Sequence, residues 1–459
     1  MSRVFLISAN TCCTPYPVYP LGMATVAGAL IDAGHQIHQF DWLVADRDPK
    51  VLEQAIVAFG PDVVAVSIRN VDHADSMAAF DDTWELKEAR DVVALVRRLT
   101  SAPVIIGGSA VSMMPECVRG YVGADTAVVG EGELCIVDAV EGVLRGQPIP
   151  AVWPVAHERL CGARQSSPCF DSSLIAFYWE KSGIVGVQSK RGCPYRCCYC
   201  SYPDLEGTRF RPRPVEAIIA DIERLKCDFG VDTIFFVDSV FNDPDDRYLE
   251  LAEALAVRDL GMRWASYMSP RGITREAATL CKRAGLYAVE LGTDAATDTT
   301  LEAMGKPFRW ADVERMNRTL VQAKVACAHF IIFGGPGETA VTVREGLDNI
   351  TNLEHCIVFG FSGIRVYPGT VLHKRSLAEG VLQEDDLLFE PAYYVSPAVD
   401  KTWMDRRVTE AWAGRRDRVF PPQQGQRIVA MLRASGWKGL LWECMISFPP
   451  DEIPRVAEG

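Results

Sequence analysis

Two successive parallel α/β sheets are predicted: a Rossmann-like first domain, then a partial (β/α)6 TIM-like barrel, then a small, mostly helical C-terminal region. Three observations carry this. Short apolar strand-like runs alternate with helical stretches over residues 1–147 and again over 183–385. Residues 148–182 hold prolines and polar residues with little periodicity, and read as a linker. The final region, 386–459, carries Tyr393, Tyr394, Trp403, Trp412, Trp437 and Trp442 without regular alternation. At 459 residues and 48% hydrophobic content, two or three domains are expected.

In the first domain, strands are expected at 4–8, 37–41, 63–68, 104–106 and 126–129. Between the first two, Pro20 and Gly34 supply helix start and stop chemistry. Such sheets bind ligands beyond the carboxyl ends of their strands, which puts 9–19, 69–76, 107–114 and 130–133 around one crevice. In the second domain, strands are expected at 184–188, 233–237, 263–268, 287–291, 328–333 and 361–366. Val215, Ile218, Ile219, Ile222 and Leu225 form one apolar helix face.

The chemistry is concentrated in Cys193-Pro-Tyr-Arg-Cys197-Cys-Tyr-Cys200. Three thiolates on one tight loop can hold three irons of a 4Fe–4S cube and leave the fourth iron open to a ligand. A structural zinc would need a fourth ligand, which Cys198 is badly placed to give; Cys198 reads as a bystander. Fifteen cysteines, an odd count, argue against a disulfide framework. No run approaches the ~18 apolar residues of a membrane span, and the first residues resemble a strand more than a cleavable leader. A net charge of −13 argues against duplex nucleic acid as partner. A reducing cytoplasm suits the thiol-rich chain.

The C-x3-C-x2-C spacing resembles that of radical S-adenosylmethionine (SAM) enzymes. The resemblance implies a 4Fe–4S cluster on Cys193, Cys197 and Cys200 whose open iron chelates SAM for reductive cleavage. It assigns Tyr199 to the adenine, Asp238 and Ser239 to the amino group, Ser266 and Arg271 to the carboxylate, and Glu290 to the ribose. Gly334 and Gly335, in Phe330-Ile-Ile-Phe-Gly-Gly-Pro-Gly-Glu338, would lie along the adenine; their plain reading is a strand-to-helix turn. Arg365-Val-Tyr-Pro-Gly-Thr370 recurs in cobalamin-dependent relatives. Arg209, Arg211 and Arg213, on the polar loop after the cysteines, could shield the cluster or bind an anionic substrate, but such basic runs are more often solvated faces.

The series Pro20-Leu-Gly-Met-Ala, Ala33-Gly-His, Pro61-Asp-Val-Val, Val104-Ile-Ile-Gly-Gly and Val129-Gly-Glu-Gly-Glu resembles the cobalamin-binding domain that precedes some radical SAM cores. It implies cobalamin contacts from Leu21, Gly22, Ser67, Arg69, Asn70, Gly107, Gly108, Gly130, Glu131 and Gly132. The glycines permit close backbone approach, although each pair alone would make an ordinary turn. An Asp-x-His-x-x-Gly motif is missing, so no histidine is expected on the cobalt; Arg69 or Asn70 would sit beneath the corrin. The activity implied is methylation of an unactivated carbon of a small molecule, with cobalamin as methyl carrier and flavodoxin or ferredoxin as electron donor. A ring-rearranging enzyme with the same cofactors, or a non-catalytic cobalamin or iron–sulfur carrier, are the alternatives.

Overall fold

The computed structural model describes residues 2–78, 84–153, 159–386 and 388–449. Parts of the expected linker (154–158) and C-terminal region (450–459) lie outside them.

The first sheet comprises β1 (Arg3–Ser8), β2 (Gln36–Asp41), β3 (Val63–Ser67), β4 (Val104–Gly107), β5 (Thr126–Val128) and β6 (Val152–Trp153), all parallel, in the order β2-β1-β3-β4-β5-β6. Val4 and Leu6 enter one core while Phe5 and Ile7 enter another, because helices cover both faces. That double burial is why β1 is uniformly apolar. The strand order reverses at β1, and the crevice opens beyond β1 and β3.

The second sheet contains β7 (Val185–Val187), β10 (Thr233–Phe236), β11 (Arg263–Met268), β12 (Leu286–Asp294), β13 (Ala326–Phe333), β14 (Ile357–Ser362) and β17 (Arg418–Val419), parallel and curled into an open barrel. Between them lie two small antiparallel pairs, β8 (Lys190–Arg191) with β9 (Arg211–Pro212), and β15 (Ile364–Arg365) with β16 (Tyr393–Tyr394). Its outer face packs under helices through Ile234, Trp264, Val289, Cys327 and Val358. Its interior is lined by the smaller Ala265, Ala288, Ala326 and Ala328, and Leu440 and Trp442 fill the space these leave.

Three expectations need correction. The sixth barrel strand spans Ile357–Ser362, earlier than 361–366. Gly360 lies inside it because a Cβ there would stand 2.7 Å from the Trp412 ring; the glycine marks a close approach, not a strand boundary. The barrel has a seventh strand, β17, contributed by the C-terminal region. The described residues of the segment expected as a linker are packed structure. They supply β6 and the helix Ser172–Ser182, and Ser167 O lies where a Cβ of Gly28 would be, 2.3 Å away. Polar capping by Asp171, which accepts from the amides of Ser173 and Leu174 at 2.9 and 3.0 Å, conceals that helix in the pattern.

One continuous core runs through both sheets. Arg365 and Asp72 cross the boundary at 2.9 Å, their side chains 2% and 0% exposed. Arg365 also donates to Val366 O and Leu388 O. Removing one member of a buried pair leaves a charge without compensation, at about 3–5 kcal/mol. Arg365→Met is expected to lower the unfolding free energy in urea by that amount, whereas Arg375→Met, in a surface pair, is expected to change it by less than about 1 kcal/mol.

Candidate active site between the two sheets

The loop carrying the three cysteines leaves β8 and returns through β9, so a two-residue antiparallel pair forms its neck. Its backbone is pinned at several points. Gly192 has φ +86°, and a Cβ there would meet Arg209 O at 2.0 Å. Cys193 N donates to Gly207 O at 3.0 Å, Cys198 N to Met304 O at 2.9 Å, and Leu372 N to Cys198 O at 2.7 Å. A Cβ on Gly305 would meet Arg196 O at 2.5 Å. Cys198 turns its side chain into the apolar core, away from the other three. Burial, followed by repulsion from Cys197 and Cys193, pushes the Cys200 thiol up to about 12. The three thiols thus lie within electrostatic reach of one another, as a shared iron centre requires, and iron would displace their protons.

Lys306 stands against this loop. Its ammonium lies 3.5 Å from Cys197 Sγ and 3.5 Å from Tyr199 Oη, and it pairs with Asp294. Tyr199 donates to the same carboxylate. Asp294 closes the fourth strand expected from the sequence; Lys306, in an undistinguished Gly-Lys-Pro turn, carried no signal.

The expected SAM contacts divide. Asp238 is fully buried and receives Ser189 N at 2.7 Å, Lys190 N at 3.1 Å and Ser189 Oγ; it braces the neck and has no free face for SAM. Ser239 Oγ donates to Gly192 O at 3.0 Å, steadying the cysteine loop. Ser266 is displaced by strand parity. Trp264 and Met268 share the helix-covered core, whereas Ala265 belongs to the interior, so Ser266 lies on the outer face. Ser269, past the strand end, has a buried Oγ without a hydrogen-bond partner, as has Ser266. Arg271 is exposed near Tyr195 of the cysteine loop. Gly334, at φ +86°, offers its N–H to Glu338 at 3.3 Å and its carbonyl to Ser396 N at 2.8 Å; Gly335 lies against Met304 and Ile364.

Glu290 points into the barrel interior. It accepts the Trp442 indole N–H at 3.1 Å, and burial raises its carboxyl to about 7. The phenols of Tyr16, Tyr267 and Tyr287 stand within its electrostatic reach.

Leu21, Gly22, Ser67, Arg69, Asn70, Gly107, Gly108, Gly130, Glu131 and Gly132 line one cavity of about 500 Å³. Its opposite wall belongs to the barrel domain: Gln188, Arg191, Ser201, Tyr202, Val237 and Tyr367. Gly108, at φ +114°, lets the β4 loop cross Ile68, whose carbonyl would be 2.4 Å from a Cβ. These closely approaching glycine turns, edged by Ser67 and Asn70, suit a bulky planar ligand such as a corrin. His35 bonds Ser2 Oγ at 2.6 Å and His73 bonds Glu85 at 2.6 Å, and neither lines the cavity. Across the cavity mouth, Arg211 pairs with Glu131 (3.1 Å through its second nitrogen) and Arg191 with Glu133 at 2.7 Å. Arg211 is therefore a domain clamp, and Arg213 pairs with Asp221 at 2.6 Å; only Arg209 of the three is exposed.

Residues 187–349 match the Radical SAM superfamily, and residues 7–140 match the B12 binding domain. The chain is 27% identical to tryptophan 2-C-methyltransferase of Streptomyces laurentii, over 82% of this chain and 74% of that one. It is 22% identical to cytidylyl-2-hydroxyethylphosphonate methyltransferase of Streptomyces wedmorensis, over 89% of each. The fold is similar to that of the radical SAM methyltransferase TsrM from Kitasatospora setae, solved with tryptophan and a SAM analogue, with a TM-score of 0.83, 22% identity and 97% of each chain covered. OxsB, a cobalamin-dependent SAM radical enzyme, aligns at a TM-score of 0.71 and 16% identity, covering 94% of this chain and 72% of that one.

Gly108→Ala is expected to abolish cobalamin binding, followed by absorbance titration, while iron content after reconstitution stays at the wild-type level. Lys306→Met removes a positive charge beside a cluster ligand and is expected to lower the cluster's reduction potential by tens of millivolts, read by redox titration of its paramagnetic signal.

Proposed function

We propose that the chain, which matches a B12 binding domain followed by a radical SAM core, is a cobalamin-dependent radical SAM enzyme that methylates a carbon of a small molecule. One observation carries the proposal. The glycine-lined cavity of the first sheet is walled on its other side by Arg191, Ser201 and Tyr202 of the cysteine loop, so a methyl carrier held there would stand against the loop that carries the cluster ligands. Both streptomycete relatives are methyltransferases, which favours methyl transfer over rearrangement.

When bound, the cluster and SAM supply the radical and cobalamin the transferable methyl. The protein's part is to hold and orient. Cys193, Cys197 and Cys200 would ligate the cluster, and the Asp294–Lys306–Tyr199 group fixes their loop. Ser269 and the turn at Gly334 and Gly335 offer polar and backbone contacts to SAM, with Arg271 at the rim. Arg69 and Asn70 lie against the cavity where they would meet the corrin. An arginine does not deprotonate, so Arg69 would meet a bound corrin as a charged hydrogen-bond donor and not as a metal ligand.

Glu290 takes the substrate side in this proposal, instead of the ribose. Aromatic rings surround it, and a carboxyl titrating near neutrality in such a setting suits a substrate that presents an N–H or ammonium group beside an apolar ring. The indole of Trp442, already donating to Glu290, shows the chemistry of such a contact. A flavodoxin or ferredoxin would supply electrons, and the cytoplasm would provide the reducing setting. Among the described residues no helix is long and apolar enough to cross a membrane.

Reconstituted protein given methyl-labelled SAM is expected to place label in a third product besides SAM and methionine; label confined to those two would exclude methylation. Ionised Glu290 binding such a donor makes kcat/KM rise with pH through about 7. Glu290→Gln is expected to remove that limb and raise KM at pH 8 by about tenfold.

A further inference from the structure

Behind the loops that edge the cofactor cavity, and outside its lining, three side chains of different chemistry converge. Cys12 follows β1, and His73 and Glu85 belong to the segment after β3. One sulfur, one imidazole nitrogen and one carboxylate oxygen lie within 4.8 Å of one another. The convergence is built by the backbone. Asp72 and Trp84 form an antiparallel bridge, so His73 and Glu85 sit just inside and just outside a closed loop, brought together at its base. Glu85 is 8% exposed and held from both sides: Oε2 lies 3.4 Å from the amide and the hydroxyl of Thr11, leaving Oε1 to His73 Nε2 at 2.6 Å. Cys12 is buried against the same imidazole, its thiol making one long contact with Thr14 O at 3.4 Å.

His73 is held by Glu85 on one side and meets the Cys12 thiol on another, so all three groups already turn toward one point. A metal ion accounts for all three. Sulfur, imidazole and carboxylate together suit a borderline divalent cation, above all zinc, at four-coordinate geometry. We propose that Cys12, His73 and Glu85 bind one zinc ion, its coordination completed by water. Cys12 gives up its thiol proton and His73 the imidazolium proton shared with Glu85, both to solvent, and the ligand atoms move apart to make room for the ion.

The site's place in the fold gives it a role. Zinc would tie the β1 loop to both ends of the segment after β3. That segment begins with Arg69 and Asn70, which line the cavity, and continues to Asp72, which pairs with Arg365. The ion would therefore stiffen the lower wall of the cobalamin cavity without touching the cofactor.

The test uses full-length protein carrying its cluster and cobalamin, equilibrated with zinc and then freed of loosely bound metal. Elemental analysis is expected to find about one zinc per chain. X-ray absorption at the zinc edge is expected to show a single sulfur at about 2.3 Å with nitrogen and oxygen neighbours. Cys12→Ser is expected to remove the sulfur signal, and Glu85→Gln, which keeps a partner for His73, to weaken retention at least tenfold with iron and cobalt contents unchanged. Zinc well below stoichiometric, a first shell of several sulfurs, or a spectrum unaltered by Cys12→Ser would each overturn the assignment.

Discussion

The site depends on how the neck of the cysteine loop is held. Two strand residues do it by pointing opposite ways. Lys190 turns inward to Asp238 and Asp243 at 3.6 and 3.3 Å, while Arg191 turns outward to Glu133 at 2.7 Å. On the returning strand, Arg211 reaches Glu131 in the loop that closes the other domain's cavity. Alternation along a strand thus lets one short hairpin bond to its own barrel and to the neighbouring sheet at once. The pairs are largely desolvated, so their value lies in geometry more than in net stability, and either partner alone would be costly. They set the separation between the thiols and the cavity.

Much of this was legible because the constraint was local. The three cysteines announce themselves by spacing, and the glycines after β4 and β5 by the turns they permit. The ten residues drawn from the first domain's motifs all line one cavity, since each motif sits at a strand's carboxyl end and a parallel sheet gathers those ends. Regular strands of the barrel were visible for the same reason: both faces are buried, and the apolar runs are continuous.

What escaped was set by partners distant in sequence. Asp238 has the position of a ligand contact, yet its oxygens are taken by Ser189 and Lys190, about fifty residues earlier. Ser266 lies within β11 on its helix-covered side, a placement set by the alternation of Trp264, Ala265 and Met268. Lys306 gains meaning only from Cys197 and Asp294, which nothing in its own neighbourhood reveals. Glu131 and Glu133 stand in a motif that suggests cofactor contact, while their carboxylates are engaged by arginines of the other domain. Apparent linker residues pack against a helix made receptive by one glycine, Gly28.

The seating of Trp442 inside the barrel has a consequence for biosynthesis. The strands that surround it, from β7 to β14, are complete long before this residue is translated. Until then the nascent barrel holds Glu290 without its indole partner and exposes the alanine-lined hollow that Leu440 and Trp442 later cover. The interior is therefore finished only once Leu440 and Trp442 have been made and have packed against the alanine-lined face.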